Sequence, residues 1–441
     1  MINDKPNQEE SCLAPLADPA VWTGFVDLFA DKNRHRQRKT QAFRDLLPQS
    51  AELAEAVLTA SYQPELPRRL AVSKMDSRRK RLVYVYPPAD ELVFKLCGRL
   101  LGAHDHLLPA ACHAFRPRHG ARQAFQSLLR QPDLDRLAVI RVDIADYFNS
   151  IPPEGALAAL PVAIRADVPL MNVLRQVVLA GGYCAGGQIV SAAPAGIKPG
   201  TPLAPILANY YLAGLDRHFL DQGILYARYS DDIILFVPPE RQTTVFAELC
   251  KCLEELGLAL NEAKTCLRAP GERWEYLGFA YERGRIDLSG AALHKIKARV
   301  RRLARRLNRY RCRKNVPPDK ILHFFFRRLN GRLYGYDGQP TRFCWTRWYL
   351  PVINTAGSLG ELDRYCQEAA RYACTGHYRR VNYRLFTRTQ LTQAGCRPLV
   401  PFYFARGWRK LAVAGKPDHP DRNTGRINSI GAVPAEPADN C

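Results

Sequence analysis

The sequence predicts an α+β fold: an antiparallel sheet with packed helices up to about residue 285, then helices alone. Three observations point there. Short β-runs recur, such as LVYVY at 82–86 and the two halves of ILYARYSDDIILFVP at 224–238. Between them the apolar spacing turns helical. After about residue 290 the composition shifts, with eleven Lys and Arg and no acid between Lys295 and Lys314. In that stretch Leu293, Ile296, Val300, Leu303, Leu307 and Tyr310 recur at three- and four-residue steps, as in one helix with an apolar stripe and a basic flank.

Each element follows in order. Residues 1–66 read as a polar arm and helices, with Phe25, Leu28, Phe29, Phe43, Leu46 and Leu47 at helical spacing. Residues 68–88 are basic and strand-like, ended by Pro87-Pro88. Residues 89–108 form an amphipathic helix. LAVIRVDIADYFNSI at 137–151 is an apolar strand ending in carboxylates and aromatics. A mostly helical segment follows, then a Gly-rich connection with hairpin character, then one long apolar helix from Thr201 to Gln222. Tyr229-Ser230-Asp231-Asp232 sits between two apolar runs, as the tip of a tight hairpin does. A helix, a second hairpin and the basic helix complete the pattern. The expected boundaries are 1–66, 67–285 for the strand-and-helix body, 286–410 for the basic helical part and 411–441 for a disordered Pro/Gly/polar tail.

Composition narrows the class. A chain of 441 residues exceeds one core, so two or three domains are expected. A formal net charge of +22 favours a polyanionic partner, nucleic acid being the commonest; the bland alternative is a soluble protein that is merely basic. The thirteen cysteines show no C-x-x-C pair or zinc pattern and are expected to be reduced thiols. The polar, acidic start is unlike a secretory signal. No apolar run reaches the ~18 residues of a membrane span. A cytoplasmic location without membrane attachment is the expectation.

Phosphoryl transfer to a sugar hydroxyl through two divalent ions requires carboxylates held together on rigid strands. The chain offers them twice. Asp143 ends an apolar run, and Asp231-Asp232 sits at a turn. Adjacent acids repel one another, and a plain turn does not require both. Alone, each is equally a solvated acid or a turn former. Together, in a strongly basic chain, they point to a metal site.

RVDIADYFNSI and YARYSDDIILF resemble the first palm motif and the Y-x-D-D motif of reverse transcriptases. HAFRPRHGARQAF resembles a fingers motif of group II intron and related bacterial enzymes. GIKPGTPLAPILANYYL is similar to the motif that contacts the incoming nucleotide. LGLALNEAKT and WEYLGF stand where the family has its lysine loop and primer grip. The resemblance spans about residues 70–285 and implies a right-hand polymerase with fingers and palm, followed by a helical thumb and C-terminal extension.

By that resemblance, Asp143, Asp231 and Asp232 are the catalytic acids. They hold two Mg²⁺ ions (Mn²⁺ as a substitute) with the Ile144 backbone. Lys80, Arg81, Arg116, Ala145, Phe148, Gly200 and Lys264 line the nucleotide. Phe148 would exclude a 2′-hydroxyl, and its plainer reading is a core ring. Arg116 would clamp the triphosphate through its guanidinium fork. Lys80 and Arg81 are equally a solvated patch, and Lys264 equally a surface lysine. Tyr276, Leu277 and Gly278 would grip the primer. Arg299, Arg302, Arg306 and Arg309 would follow a nucleic-acid backbone.

The sequence also departs from the intron enzymes. Lys198-Pro199-Gly200 and Ala204-Pro205 replace their Pro-Gln-Gly and Ser-Pro. The form found here resembles bacterial unknown-group and abortive-infection reverse transcriptases. No H-N-H cassette is seen, which disfavours a mobile intron protein with its own DNA cleavage. The resulting expectation is an RNA-directed DNA polymerase that copies a structured noncoding RNA into DNA from dNTPs, in antiphage defence. Two alternatives are a protein-primed or template-independent DNA polymerase, and a non-catalytic, maturase-like RNA-binding protein.

Overall fold

The computed structural model describes residues 11–33, 36–73, 80–192, 196–335 and 344–407. Its strands are β1 (Arg68–Ser73), β2 (Lys80–Val85), β3 (Ala138–Asp143), β4 (Tyr183–Ala185), β5 (Gln188–Val190), β6 (Leu225–Tyr229), β7 (Asp232–Val237), β8 (Cys266–Arg268), β9 (Trp274–Tyr276), β10 (Phe279–Glu282) and β11 (Arg285–Leu288). Among the described residues these form three sheets, ordered β2-β1-β4-β5, β6-β7-β3-β8 and β11-β10-β9. The mixed helix-and-sheet class is the one expected.

The chain forms two compact units. One is the described part of Met1–Ala124 with Ile140–Leu267; the other is Phe125–Val139 with the described part of Arg268–Gly425. The last division between them falls at Leu267.

In the first unit, β3 lies between β7 and β8. Ile140, Val142 and Ile233–Val237 are all buried, as befits β-branched and aromatic side chains in a covered sheet. β6 and β7 pair antiparallel from Leu225↔Phe236 to Tyr229↔Asp232, so the turn is Ser230-Asp231. β1 and β2 pair antiparallel from Arg68↔Val85 to Ser73↔Lys80 within the β2-β1-β4-β5 sheet.

Prolines cut the helical stretch after Ile151 into Pro153–Ala158, Val162–Ala166 and Val168–Leu179, because a missing N–H is tolerated only in a first turn. The apolar helix expected from 201 to 222 is two helices, Ala204–Tyr211 and Ala213–Asp221, broken at Leu212 (φ −93°, ψ 2°). Asn209 donates to the Ala114 carbonyl (2.7 Å), and Tyr211 donates to the Leu256 carbonyl (2.5 Å). These bonds tie the first helix to its own neighbours.

In the second unit, helix Gly290–Lys314 starts at Ser289, whose hydroxyl accepts from the Ala292 N–H (3.1 Å). It stops at Asn315, in the left-handed region at φ 46°. Ile296, Val300, Leu303 and Leu307 are buried as expected, whereas Tyr310 is exposed. This helix packs against Gly357–Thr375 and Pro318–Tyr334. Asn354 binds β11, its N–H donating to the Ile286 carbonyl (3.0 Å) and its side-chain oxygen accepting from the Ile286 N–H (2.8 Å). Such bonds group the 274–288 hairpins with the helical second half.

The twelve cysteines among the described residues are all free. No described helix is long and apolar enough to cross a membrane. The tail expected to be disordered lies outside the described residues.

Candidate active site

The site is built where β3 ends against the β6–β7 turn. The Ile144 N–H donates to the Asp231 carbonyl (3.0 Å). On the other side, the Asn261 N–H donates to the Asp143 carbonyl (2.8 Å), and the Ala145 N–H to the Ala259 carbonyl (2.8 Å). Residues 143–145 are therefore held between the hairpin tip and the segment before Lys264. Ser230 takes φ 61° at the turn. A non-glycine residue rarely adopts that conformation, and such strain is kept where surrounding contacts enforce it.

The carboxylates have different partners. Asp143 is 8% exposed. The Lys264 ammonium donates to both of its oxygens (2.8 and 2.7 Å), and the Asn261 amide donates to Oδ1 (3.1 Å). Arg141 donates from Nε and Nη2 to the two oxygens of Asp232 (2.9 Å each). Burial, and then the charge of Asp143, push the Asp231 carboxyl above the usual carboxylate range. Asp232 is also raised by burial, with Arg141 pulling the other way. Because these acids repel one another, the site favours a cation.

Among the described residues, no three Asp, Glu, His or Cys side chains converge as a ready-made metal cage. In this structure Asp232 is paired with Arg141. The remaining donors still suit a hard divalent ion. Magnesium commonly takes one or two carboxylates and completes its shell with substrate phosphate and water. The Lys264 ammonium, against both oxygens of Asp143, shows that a positive charge is accommodated there. The Ile144 side chain is a hydrocarbon, so only its backbone carbonyl could serve as a ligand.

The other predicted nucleotide residues fall into two groups. Ala145 follows Ile144 at the end of β3. The Ile197 N–H donates to the Phe148 carbonyl (2.9 Å). The Tyr84 N–H donates to the Pro199 carbonyl (2.7 Å), and a Cβ on Gly200 (φ +99°) would lie 3.0 Å from the Tyr84 carbonyl. Loop 196–200 thus joins the Phe148 turn to β2, which carries the exposed Lys80 and Arg81.

Arg116 belongs to the second group and is a correction. It is 5% exposed. Its donors go to both carboxylate oxygens of Asp105 (2.8 and 3.1 Å) and to the carbonyls of Asp105, Pro109 and Cys112 (2.6–2.9 Å). The guanidinium has five N–H groups, all of them engaged. It staples this loop and leaves no fork for a triphosphate.

In the second unit, Leu277 (φ 49°) and Gly278 (φ 90°) form the two-residue β9–β10 turn. Two positive φ values are what a type I′ hairpin turn demands. Tyr276 is 0% exposed; its side chain is core, so only the turn itself could meet a primer. Arg302, Arg306 and Arg309 are exposed on helix Gly290–Lys314, and Arg299 is half-buried.

Sequence reading missed four features. Arg141 is a lone basic residue inside an apolar run. Asn261 lay in a recognised block without an assigned role. Gly196 (φ +65°) is needed because a Cβ would come within 2.4 Å of the Phe148 carbonyl. The fourth is the buried cluster of Arg228, Asp216 and Asn209, joined by bonds of 2.6–3.2 Å. An arginine directly before the hairpin tip was its one available signal.

Carboxylates at a strand end and a hairpin tip, beside a lysine loop, are the arrangement that two-metal phosphoryl transfer requires. Residues 74–281, just under half the chain, match the model of the family described as reverse transcriptase (RNA-dependent DNA polymerase). The chain carries a reverse transcriptase domain. Two curated relatives, both named group II intron-encoded protein LtrA, come from Lactococcus lactis subsp. cremoris and its strain MG1363. Each is 24% identical over 212 residues, covering 48% of this chain and 33% of the relative. The chain therefore spans a third of the length of these relatives. A solved structure of apo telomerase from Candida tropicalis, truncated from its C-terminal domain, superposes with a TM-score of 0.43 at 11% identity, covering 54% of this chain and 59% of that one.

Proposed function

We propose that this chain is an RNA-directed DNA polymerase whose working acids are Asp143 and Asp231. The observation that carries the reading is the 3.0 Å bond from the Ile144 N–H to the Asp231 carbonyl. It unites residues far apart in sequence at one carboxylate pair. Two divalent ions, when bound, would lower the pKa of the primer hydroxyl and neutralise the triphosphate.

The chain's own residues do the rest. Asp143 and Asp231 bind the cations. Lys264, displaced from Asp143, holds a proton at Nζ beside the leaving group. Phe148, braced by loop 196–200, presents its ring to the sugar. Gly200 lets backbone approach where a side chain would not fit. The exposed arginines of helix Gly290–Lys314 bind a nucleic-acid backbone with salt-dependent affinity, and turn 277–278 meets the primer.

The finer reading is a bacterial enzyme of the unknown-group or abortive-infection kind, which copies a bound structured noncoding RNA in antiphage defence. Its support is the G-x-P-L-x-P-x-L-A-N-x-Y-L form from Gly200 to Leu212 and the aromatic, arginine-rich second unit, which suits unpaired RNA bases. The test is to sequence the RNA and DNA that co-purify with the protein. A defined RNA with complementary DNA is the expected result. DNA covalently joined to the protein and without an RNA complement would replace this reading with the protein-primed one.

A further inference from the structure

Three acids meet in this site with two bases, and the two base–acid contacts differ in kind. Lys264 is more than half exposed, with a side-chain exposure of 56%. It sits on a short turn, Glu262–Lys264, and its ammonium is a point charge on a flexible stem. A cation arriving at Asp143 can displace it into water at little cost.

Arg141 is different. It lies inside β3, two residues before Asp143, and alternation along a strand puts both side chains on the same face. Its planar fork matches the Asp232 carboxylate side-on, both bonds 2.9 Å long. The Asp232 and Arg141 side chains are only 16% and 29% exposed. Charge-assisted bidentate bonds are the strong kind. Breaking this one would strand a half-buried guanidinium without its charge partner.

We infer that Arg141 is a positioning residue that reserves Asp232 from the metal ions. The two opposite charges of the pair offset one another beside the cation site. The site itself then has two carboxylate ligands, Asp143 and Asp231, the first released by Lys264 on loading. The second acid of the hairpin serves to hold the tip of β7 against β3. This assignment rests on the polymerase reading above and deepens it.

The test titrates Mn²⁺ alone into the full-length protein and reads free Mn²⁺ by electron paramagnetic resonance, without nucleotide or turnover. Asp143→Asn and Asp231→Asn are expected to weaken Mn²⁺ binding by about tenfold or more. Asp232→Asn weakens it too, because Arg141 is left as an uncompensated positive charge nearby. The double variant Arg141→Gln/Asp232→Asn removes both charges of the pair and is expected to return within about twofold of wild type, a strong non-additivity in the cycle. Arg141→Lys keeps the charge without the fork and is expected to lie between wild type and Arg141→Gln, which frees Asp232 and tightens binding. If the double variant is as weak as Asp231→Asn, then Asp232 is a direct ligand and the inference fails, while the polymerase reading stands. If Asp143→Asn and Asp231→Asn leave Mn²⁺ binding unchanged, the metal site itself is misplaced and both fall.

Discussion

Arg228 and Asp216, both 0% exposed, meet side-on, Nε to Oδ1 at 2.7 Å and Nη2 to Oδ2 at 2.6 Å. The same guanidinium reaches the side-chain oxygen and the carbonyl of Asn209 (3.2 Å each), and Tyr226 donates to Asp216 (2.8 Å). Arg228 stands three residues before Asp231, so this buried network anchors the strand that delivers the hairpin tip. Removing one partner of a buried pair strands the other charge, at a cost of about 3–5 kcal/mol, whereas an apolar replacement of both can be nearly neutral. Asp216→Leu and Arg228→Met are each expected to lower unfolding stability by that amount, and the double variant by clearly less. Urea unfolding of the four proteins checks this. Additive losses would mean that the two residues act independently.

The Phe148 turn depends on a neighbour without a side chain. Gly196 takes φ +65°, and a Cβ there would come within 2.4 Å of both the Phe148 carbonyl and the Asn149 Cα. Backbone atoms cannot yield as a flexible side chain does. Gly196→Ala is expected to shift the turn and relax discrimination between deoxy- and ribonucleotides, and Phe148→Ala is expected to do so directly. The ratio of kcat/KM for a dNTP and the matching rNTP reads both. A ratio unchanged in Phe148→Ala would remove this ring from the sugar gate.

How much of this was legible beforehand differs by residue. Asp143 and the hairpin tip could be read, since an acid closing an apolar strand and two acids at a turn both break local pattern. The stripe on helix Gly290–Lys314 was readable by periodicity, though Tyr310 at its end is exposed. Arg116 looked like an anion clamp because sequence shows a charge but not the carbonyls that surround it. Tyr276 looked available for the same reason. The break at Leu212 falls inside an apolar run that carries no proline, so periodicity did not mark it. Arg141 could not be linked to Asp232, 91 residues away, by any local rule.

His113 is expected to make folding stability depend on pH. Its backbone N–H donates to the Arg228 carbonyl (2.9 Å). Burial first, then His119 and Arg116, lower its imidazole from 6.5 to about 4. A folded-state pKa below the unfolded one means that folding favours the neutral ring. The contribution is complete above pH 6.5 and lost as pH falls toward 4. It is worth about 3 kcal/mol. Wild type is expected to lose stability relative to His113→Gln across that window in urea unfolding. Parallel pH profiles would exclude a role for this ring.

The basic helix is expected to act through counterion release. Replacing Arg302, Arg306 and Arg309 together with alanine should reduce the slope of log K against log salt for RNA binding by about 2–3. Fluorescence anisotropy between low and moderate salt measures it. An unchanged slope would mean that these exposed arginines face water only.

The most direct measurement is single-turnover addition of one dNTP to a primer on an RNA template, comparing wild type with Asp231→Asn at saturating Mg²⁺. Removing a ligand needed for charge stabilisation is expected to slow the step by about a thousandfold, near 4 kcal/mol in the barrier, with RNA affinity kept within about twofold. Addition by Asp231→Asn at the wild-type rate would contradict the assignment of the strand-end and hairpin-tip carboxylates as the polymerase centre.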